Sequence, residues 1–432
     1  MLRRHRWQAL ALAGATAAFV LTAIALDGRV STSTRTGTAL AQARRGGDPA
    51  IEGRPPGSAQ PLPSAPSAQS GPSGPSASAP SASGETARRQ AATATCDVAV
   101  STWPVSRLAG AVITAPVQLS TLAGAHDLVT AGIGGLLLVG PSPAPDLVAR
   151  LAQLRAAAPD GWRLLVASDE EGGGIQRLAA MTTRMPWARD MSATGPDAVR
   201  AQGHALGIEL ARLGVTVDFA PVGDLDAGPG PDGKHPDGQR SFSVDPSVTG
   251  PDVAAFVSGL QSAGIGAVVK HFPGLGTATA NTDMQAASID PWARIRTRDL
   301  GPFRDAIAAH VRAVMTSHAS VPGLSDGPAS LSPDVTAVLR HDLGFDGAIV
   351  TDSLSAVAIE RRGLDVPAAA VRALAAGADD VVFGGGDTVN GYRTAVLVQH
   401  AIIAAVRDGR LNADQLRDSA RRDAALTGAV TC

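Results

Sequence analysis

Four short apolar runs stop on residues that can do chemistry. Asp169 follows 163–168, Lys270 and His271 stand at the end of 266–270, His318 closes 313–318, and Asp352 comes just after 347–351. A carboxylate in such a place can attack an electrophilic carbon; the plainer alternative is that it caps the next helix. Asp169, Arg240, Lys270 and His271 suit a polyhydroxylated ligand. A carboxylate accepts hydrogen bonds from two neighbouring hydroxyls, while Lys, Arg and His donate to others. An ion-pair network among Asp169, Arg240 and Lys270 is the simpler alternative. Both hold together if the same pairs preorganise a pocket.

The elements that must position these residues follow from the pattern beyond residue 96. Short apolar runs bounded by Gly alternate with longer Ala/Leu/Arg stretches of helical character, the mark of βα units. Eight strands are expected, over 110–114, 134–139, 163–168, 215–220, 266–270, 313–318, 347–351 and 380–384. That number suits an α/β fold closed as a (β/α)8 TIM-type barrel, with a doubly wound open sheet as the alternative. In a barrel the strands' C-terminal ends form the active face, and Asp169, Lys270, His271, His318 and Asp352 all fall there. No GxGxxG follows the first strand and no GxxxxGK[ST] is present, so a nucleotide-binding role has no support.

Ordered blocks along residues 105–390 resemble glycoside hydrolase family 3, in its single-domain β-N-acetylglucosaminidase branch. They are Asp169-Glu-Glu-Gly-Gly-Gly-Ile-Gln-Arg177, Asp218-Phe-Ala-Pro-Val-Gly-Asp224, Arg240-Ser-Phe, Lys270-His-Phe-Pro-Gly-Leu-Gly, Pro328-Ala-Ser-Leu-Ser332 and Ala348-Ile-Val-Thr-Asp352. The resemblance implies a retaining glycosidase acting on terminal β-linked N-acetylglucosamine, such as peptidoglycan fragments. It needs no metal and no cofactor. Asp352 would be the nucleophile, with Asp169, Arg240, Lys270 and His271 on the sugar. The family's acid/base loop ends Asp-Ser-His or Asp-Thr-His, whereas this chain reads Asn281-Thr282-Asp283. Asp283 can replace the His if burial raises its pKa. Otherwise Glu170, Asp224 or His318 takes the role, or the acid function is impaired. Gly174 stands where the family usually has Arg, and Ser353 where a second Asp is common. Two alternatives stay open: a catalytically impaired sugar-binding wall protein of the same fold, and a β-glucosidase of the family.

Composition narrows the setting. The 432 residues are 18% charged with net charge −2, which argues against nucleic acid as a partner. Aromatic residues make up 3%, so a sugar would be held in a polar pocket rather than on an open aromatic face. Arg3, Arg4 and Arg6 precede an apolar run over 8–26, as in a signal peptide or an uncleaved signal anchor. Residues 1–43 are assigned to that segment, 44–95 to a Pro/Ser/Gly/Ala-rich disordered linker, and 96–432 to the barrel domain. At roughly 3 Å per residue, Pro-rich chain of that length reaches on the order of 100 Å. An extracytoplasmic, wall-facing protein is expected, secreted or anchored, monomeric, meeting the membrane only through its N-terminus. Its two cysteines, Cys96 and Cys432, are expected to pair, since an exported chain with an even cysteine count usually bridges them.

Overall fold

The computed structural model describes residues 100–159, 162–384 and 388–427. Segments 1–43 and 44–95, and both Cys96 and Cys432, lie outside the described residues. Ten strands form: β1 (Ile113–Gln118), β2 (Gly135–Val139), β3 (Leu165–Ser168), β4 (Glu170–Gly172), β5 (Ile175–Gln176), β6 (Val217–Asp218), β7 (Gly266–Phe272), β8 (Ala313–Thr316), β9 (Ala348–Thr351) and β10 (Val381–Val382). Eight of them pair in parallel in the order β10-β1-β2-β3-β6-β7-β8-β9, and a bridge between Val350 and Asp380 brings β9 back to β10. The chain is a (β/α)8 barrel, not an open doubly wound sheet. β4 and β5 form a separate antiparallel hairpin just after β3.

Alternation along each strand divides two cores, because successive side chains point to opposite faces. Leu165 and Ala167, Ala313 and Met315, and Ala348 and Val350 point into the barrel with Leu137, Phe219 and Val268. Between them, Val166, Val314 and Ile349 point out against the helices. The helix Ala413–Leu426 closes the N-terminal mouth with Leu426. A Cβ on Gly266 would lie 2.3 Å from the Leu426 carbonyl oxygen, so only glycine lets β7 start there.

All eight barrel strands overlap the expected ranges. The largest offset is at β1, expected over 110–114 but formed over 113–118, because Val105–Ala111 is a helix. Gly110 is not a strand boundary but a close approach within that helix: a Cβ there would come 2.1 Å from the Gly132 carbonyl oxygen. A short apolar run does not distinguish the two cases.

The bottom of the barrel also holds acids. Asp380, which accepts from the Thr114 hydroxyl at 2.7 Å, is pushed up to about 7 by burial. Burial and the neighbouring charge of Asp380 raise Asp423 well above the usual carboxylate range. Among the described residues neither Asp423 oxygen has a hydrogen-bond partner. The folded state therefore binds protons that the unfolded chain releases near pH 4, and stability falls as pH rises through the folded-state values. Asp423→Asn keeps the shape and removes the charge. Its melting temperature should exceed the parent's by several degrees at pH 8 and by much less at pH 5; an equal shift at both would show that Asp423 does not titrate there.

Candidate active site

The ends of β3, β7, β8 and β9 converge on one pocket. Lys270, 2% exposed, places Nζ 2.8 Å from Asp169 Oδ1 and 2.6 Å from Glu171 Oε1. Arg240 grips Glu171 with two bonds, Nε–Oε2 at 2.7 Å and NH2–Oε1 at 2.9 Å, and also reaches Asp237 Oδ1 at 3.3 Å. The expected network is thus corrected in one respect: Arg240 pairs with Glu171 and Asp237, not with Asp169. Burial alone would raise Glu171, but the charges of Arg240 and Lys270 outweigh it and hold the carboxyl below the usual range. Asp169 and Glu171 share one side of the chain as it enters β4, and Glu170 faces the other way. Glu171 was missed by the sequence reading; a buried Arg240 needs a buried carboxylate, and the alternation of Asp169-Glu170-Glu171 points to it.

His271 stands on a second buried pair. Its Nδ1 lies 2.6 Å from Asp224 Oδ2, which also accepts the His271 backbone N–H at 3.0 Å, while Leu275 N–H donates to Oδ1 at 2.6 Å. Burial lowers His271 and pushes Asp224 up to about 7. Burial and the adjacent Asp224 push Asp237 up to about 8. Asp224, Asp237 and His271 bring ligand atoms within 4.8 Å of one another. The N–H groups already on Asp224, and the Arg240 guanidinium beside Asp237, supply the positive partners that a cation would otherwise provide. The contact with Asp224 fixes the orientation of the His271 ring through Nδ1.

Asp352 leaves β9 with its backbone N–H on Thr316 O at 3.0 Å. Its Oδ1 accepts the Ser353 N–H at 2.7 Å. The following helix, Val357–Glu360, has Ala356 at its N-cap, so Asp352 caps no helix. Burial would raise Asp352; His318, His271 and the Ser353 amide hold it below the usual carboxylate range. An ionised carboxylate at a barrel rim is what a nucleophile requires.

The four alternatives for proton donor now separate. Glu170 is buried, bonded to the Ser168 hydroxyl and accepting the Leu178 N–H at 3.0 Å. Asp224 is buried with both oxygens in use. His318, 1% exposed, spends Nδ1 on the Ser330 hydroxyl and Nε2 on the Ser353 carbonyl, both at 2.8 Å. Asp283 differs. It is exposed, and among the described residues nothing hydrogen-bonds its carboxyl. Partial burial and the charge of Asp352 raise its pKa, with His318 and His271 opposing. The two departures from the expected blocks also have physical accounts. Trp187 lies across Gly173 and Gly174, 3.0 Å from where a Gly174 Cβ would be, and so fills that space. Ser353 accepts the Gly384 N–H at 2.7 Å, tying the loop after Asp352 to the end of β10.

A barrel rim that sets one ionised strand-end carboxylate, Asp352, beside a raised loop carboxyl, Asp283, and a buried cation–carboxylate network has the parts of a glycosidase. The family profile described as glycosyl hydrolase family 3 N terminal domain matches residues 119–426. A β-hexosaminidase of Stenotrophomonas maltophilia strain K279a is 36% identical over 284 residues, covering 62% of this chain and 82% of the relative. A glycosyl hydrolase structure from Mycobacterium smegmatis is 33% identical with a TM-score of 0.70, covering 76% of this chain and 98% of that one. A β-N-acetylhexosaminidase structure from Beutenbergia cavernae is 31% identical with a TM-score of 0.68, covering 76% and 99%. The chain belongs to glycosyl hydrolase family 3 and is a glycoside hydrolase.

Proposed function

We propose that the protein is a retaining glycosidase that removes terminal β-linked N-acetylglucosamine from glycans such as peptidoglycan fragments. The observation that carries this reading is the opposite poise of two carboxyls in one pocket, Asp352 held low and Asp283 held high. The similar β-hexosaminidase and β-N-acetylhexosaminidase support the choice of sugar.

In the first step an Asp352 oxygen attacks the anomeric carbon, the glycosidic bond breaks, and Asp283 gives its proton to the departing oxygen. In the second, ionised Asp283 takes a proton from water, whose oxygen attacks the same carbon and frees Asp352. Lys270, Asp169, Arg240 and His271 hold the sugar hydroxyls, and Glu171 fixes the first and third of these. The sugar released at each turnover should be the β-anomer. Proton NMR of 4-nitrophenyl N-acetyl-β-glucosaminide hydrolysis checks this; an initial α-anomer, or turnover confined to the plain glucoside, would overturn the reading.

The reading places the enzyme outside the cytoplasm. The Arg-rich start, the apolar run and the 44–95 linker support export and reach toward a wall. Cys96 and Cys432 would then be bridged, closing a loop worth about 4–5 kcal/mol in the chain-entropy picture. Protein recovered from the extracytoplasmic fraction, unfolded without reductant, should show no reactive thiol; two thiols would refute the bridge.

A further inference from the structure

The segment that carries the proton donor is held by main chain on both flanks. Asn281 N–H donates to Gly233 O at 3.2 Å, and the Asn281 carbonyl accepts from Met284 and Gln285, both at 3.1 Å. On the other flank, the Thr282 carbonyl accepts from Ala358 N–H at 3.1 Å and the Asp283 carbonyl from Val357 N–H at 3.4 Å. Those two donors open the helix that follows Asp352. One side chain takes part: Asn281 Oδ1 accepts the Asp283 backbone N–H at 2.8 Å. With its N–H and its carbonyl both engaged, Asp283 has its side chain alone free to move toward a substrate.

Either Asn or Asp could close such a turn, because both carry an oxygen at the right reach. The hydrogen bond therefore does not choose between them; charge does. The charged or titratable groups whose fields act on Asp283 are Asp352, His318, His271 and Arg240. The turn at Gly233 adds Lys234 and His235, and the helix Val357–Glu360 adds Glu360 and, just beyond it, Arg361. Asp352 must stay ionised while Asp283 protonates and ionises once per turnover. A second carboxylate two residues away would oppose that ionisation.

We propose that Asn281 is a positioning residue for the proton donor: its amide oxygen fixes the Asp283 backbone, and its lack of charge leaves Asp283 free to ionise within the pocket. The proposal rests on Asp283 as acid/base. Loss of the turn and gain of a charge are separable by two substitutions. Asn281→Ala removes the acceptor and adds no charge. Asn281→Asp keeps the acceptor and adds a charge.

The test is the pH profile of kcat/KM on two N-acetyl-β-glucosaminides, one with a 4-nitrophenyl and one with a methyl leaving group, with melting temperatures as the check on folding. Asn281→Ala should lower kcat on the methyl glycoside about tenfold and on the aryl glycoside less than about threefold, with the alkaline limb unmoved. Asn281→Asp should shift the alkaline limb upward by about one pH unit on the methyl glycoside, the substrate that needs the proton. Equal losses on both substrates for Asn281→Ala, or an unmoved limb for Asn281→Asp, would overturn it. Asp283→Asn separates the two layers of the argument. If that variant still cleaves the methyl glycoside at the parent rate, the acid assignment falls and the proposal with it. If it does not, while both Asn281 variants behave as the parent does, the positioning role alone is wrong.

Discussion

Asp352→Asn will lose about four orders of magnitude in kcat, or roughly 5–6 kcal/mol of barrier, and will lose it on every substrate regardless of leaving group. The asparagine keeps an oxygen to accept the Ser353 N–H and leaves the bond from the Asp352 amide to Thr316 O in place. The fold should therefore survive, with a melting temperature close to the parent's. What disappears is the charge that His318 and His271 stabilise, and with it the ability to attack the anomeric carbon. An activated 5-fluoro N-acetylglucosaminyl fluoride forms the glycosyl-enzyme quickly and releases it slowly, so peptide mapping should find the label on Asp352. A label on Asp169, Glu171 or Asp283 would move the nucleophile there.

The strand ends could be read from the sequence because two independent signals coincide at each of them. β3, β7, β8 and β9 are short apolar runs, and each carries at or just past its C-terminal end a polar residue that packing alone would not place there. The (β/α)8 class follows from that rhythm. Side-chain partners were less legible, since they depend on which face each residue takes. Asp169 was singled out and Glu171 was not, although Glu171 is the carboxylate that both Arg240 and Lys270 hold. Asp237 lies in a loop of Gly, Pro and Asp with no periodicity to mark it, and only the fold brings it to Arg240. Composition likewise could not rank the four candidate acids. Each is a plain side chain in sequence; the structure separates them by what they already touch. Glu170 and Asp224 are committed to backbone amides, and His318 to a hydroxyl and a carbonyl, whereas among the described residues nothing hydrogen-bonds the Asp283 carboxyl.

If Asp283 is the acid/base, its removal should be felt in proportion to how badly the leaving group needs a proton. Asp283→Ala should slow methyl or sugar aglycones by about a thousandfold, the middle of the range for general acid catalysis. A 4-nitrophenyl aglycone departs as a stabilised anion, so its bond-breaking step should change little. The pH dependence carries the same assignment. Activity should rise as pH climbs through the depressed pKa of Asp352, because the nucleophile must be ionised. It should fall as pH passes through the raised pKa of Asp283, because the acid must be protonated. The two limbs belong to a coupled pair, so they report the pair's apparent values. In Asp283→Ala the alkaline limb should vanish while the acidic limb stays. A final consequence separates a carboxylate acid/base from a neutral histidine. In the glycosyl-enzyme, ionised Asp283 would face any incoming anion; at about 4 Å like charges cost on the order of 4 kcal/mol, close to a thousandfold in rate. Hydrolysis should therefore proceed without sugar phosphate appearing, even in concentrated phosphate buffer. Replacing Asp283 by Ala and adding azide should trap a glycosyl azide, because the small nucleophile then meets no negative charge. Sugar phosphate from the parent enzyme, or equal activity of Asp283→Ala on both kinds of aglycone, would show that Asp283 is a bystander.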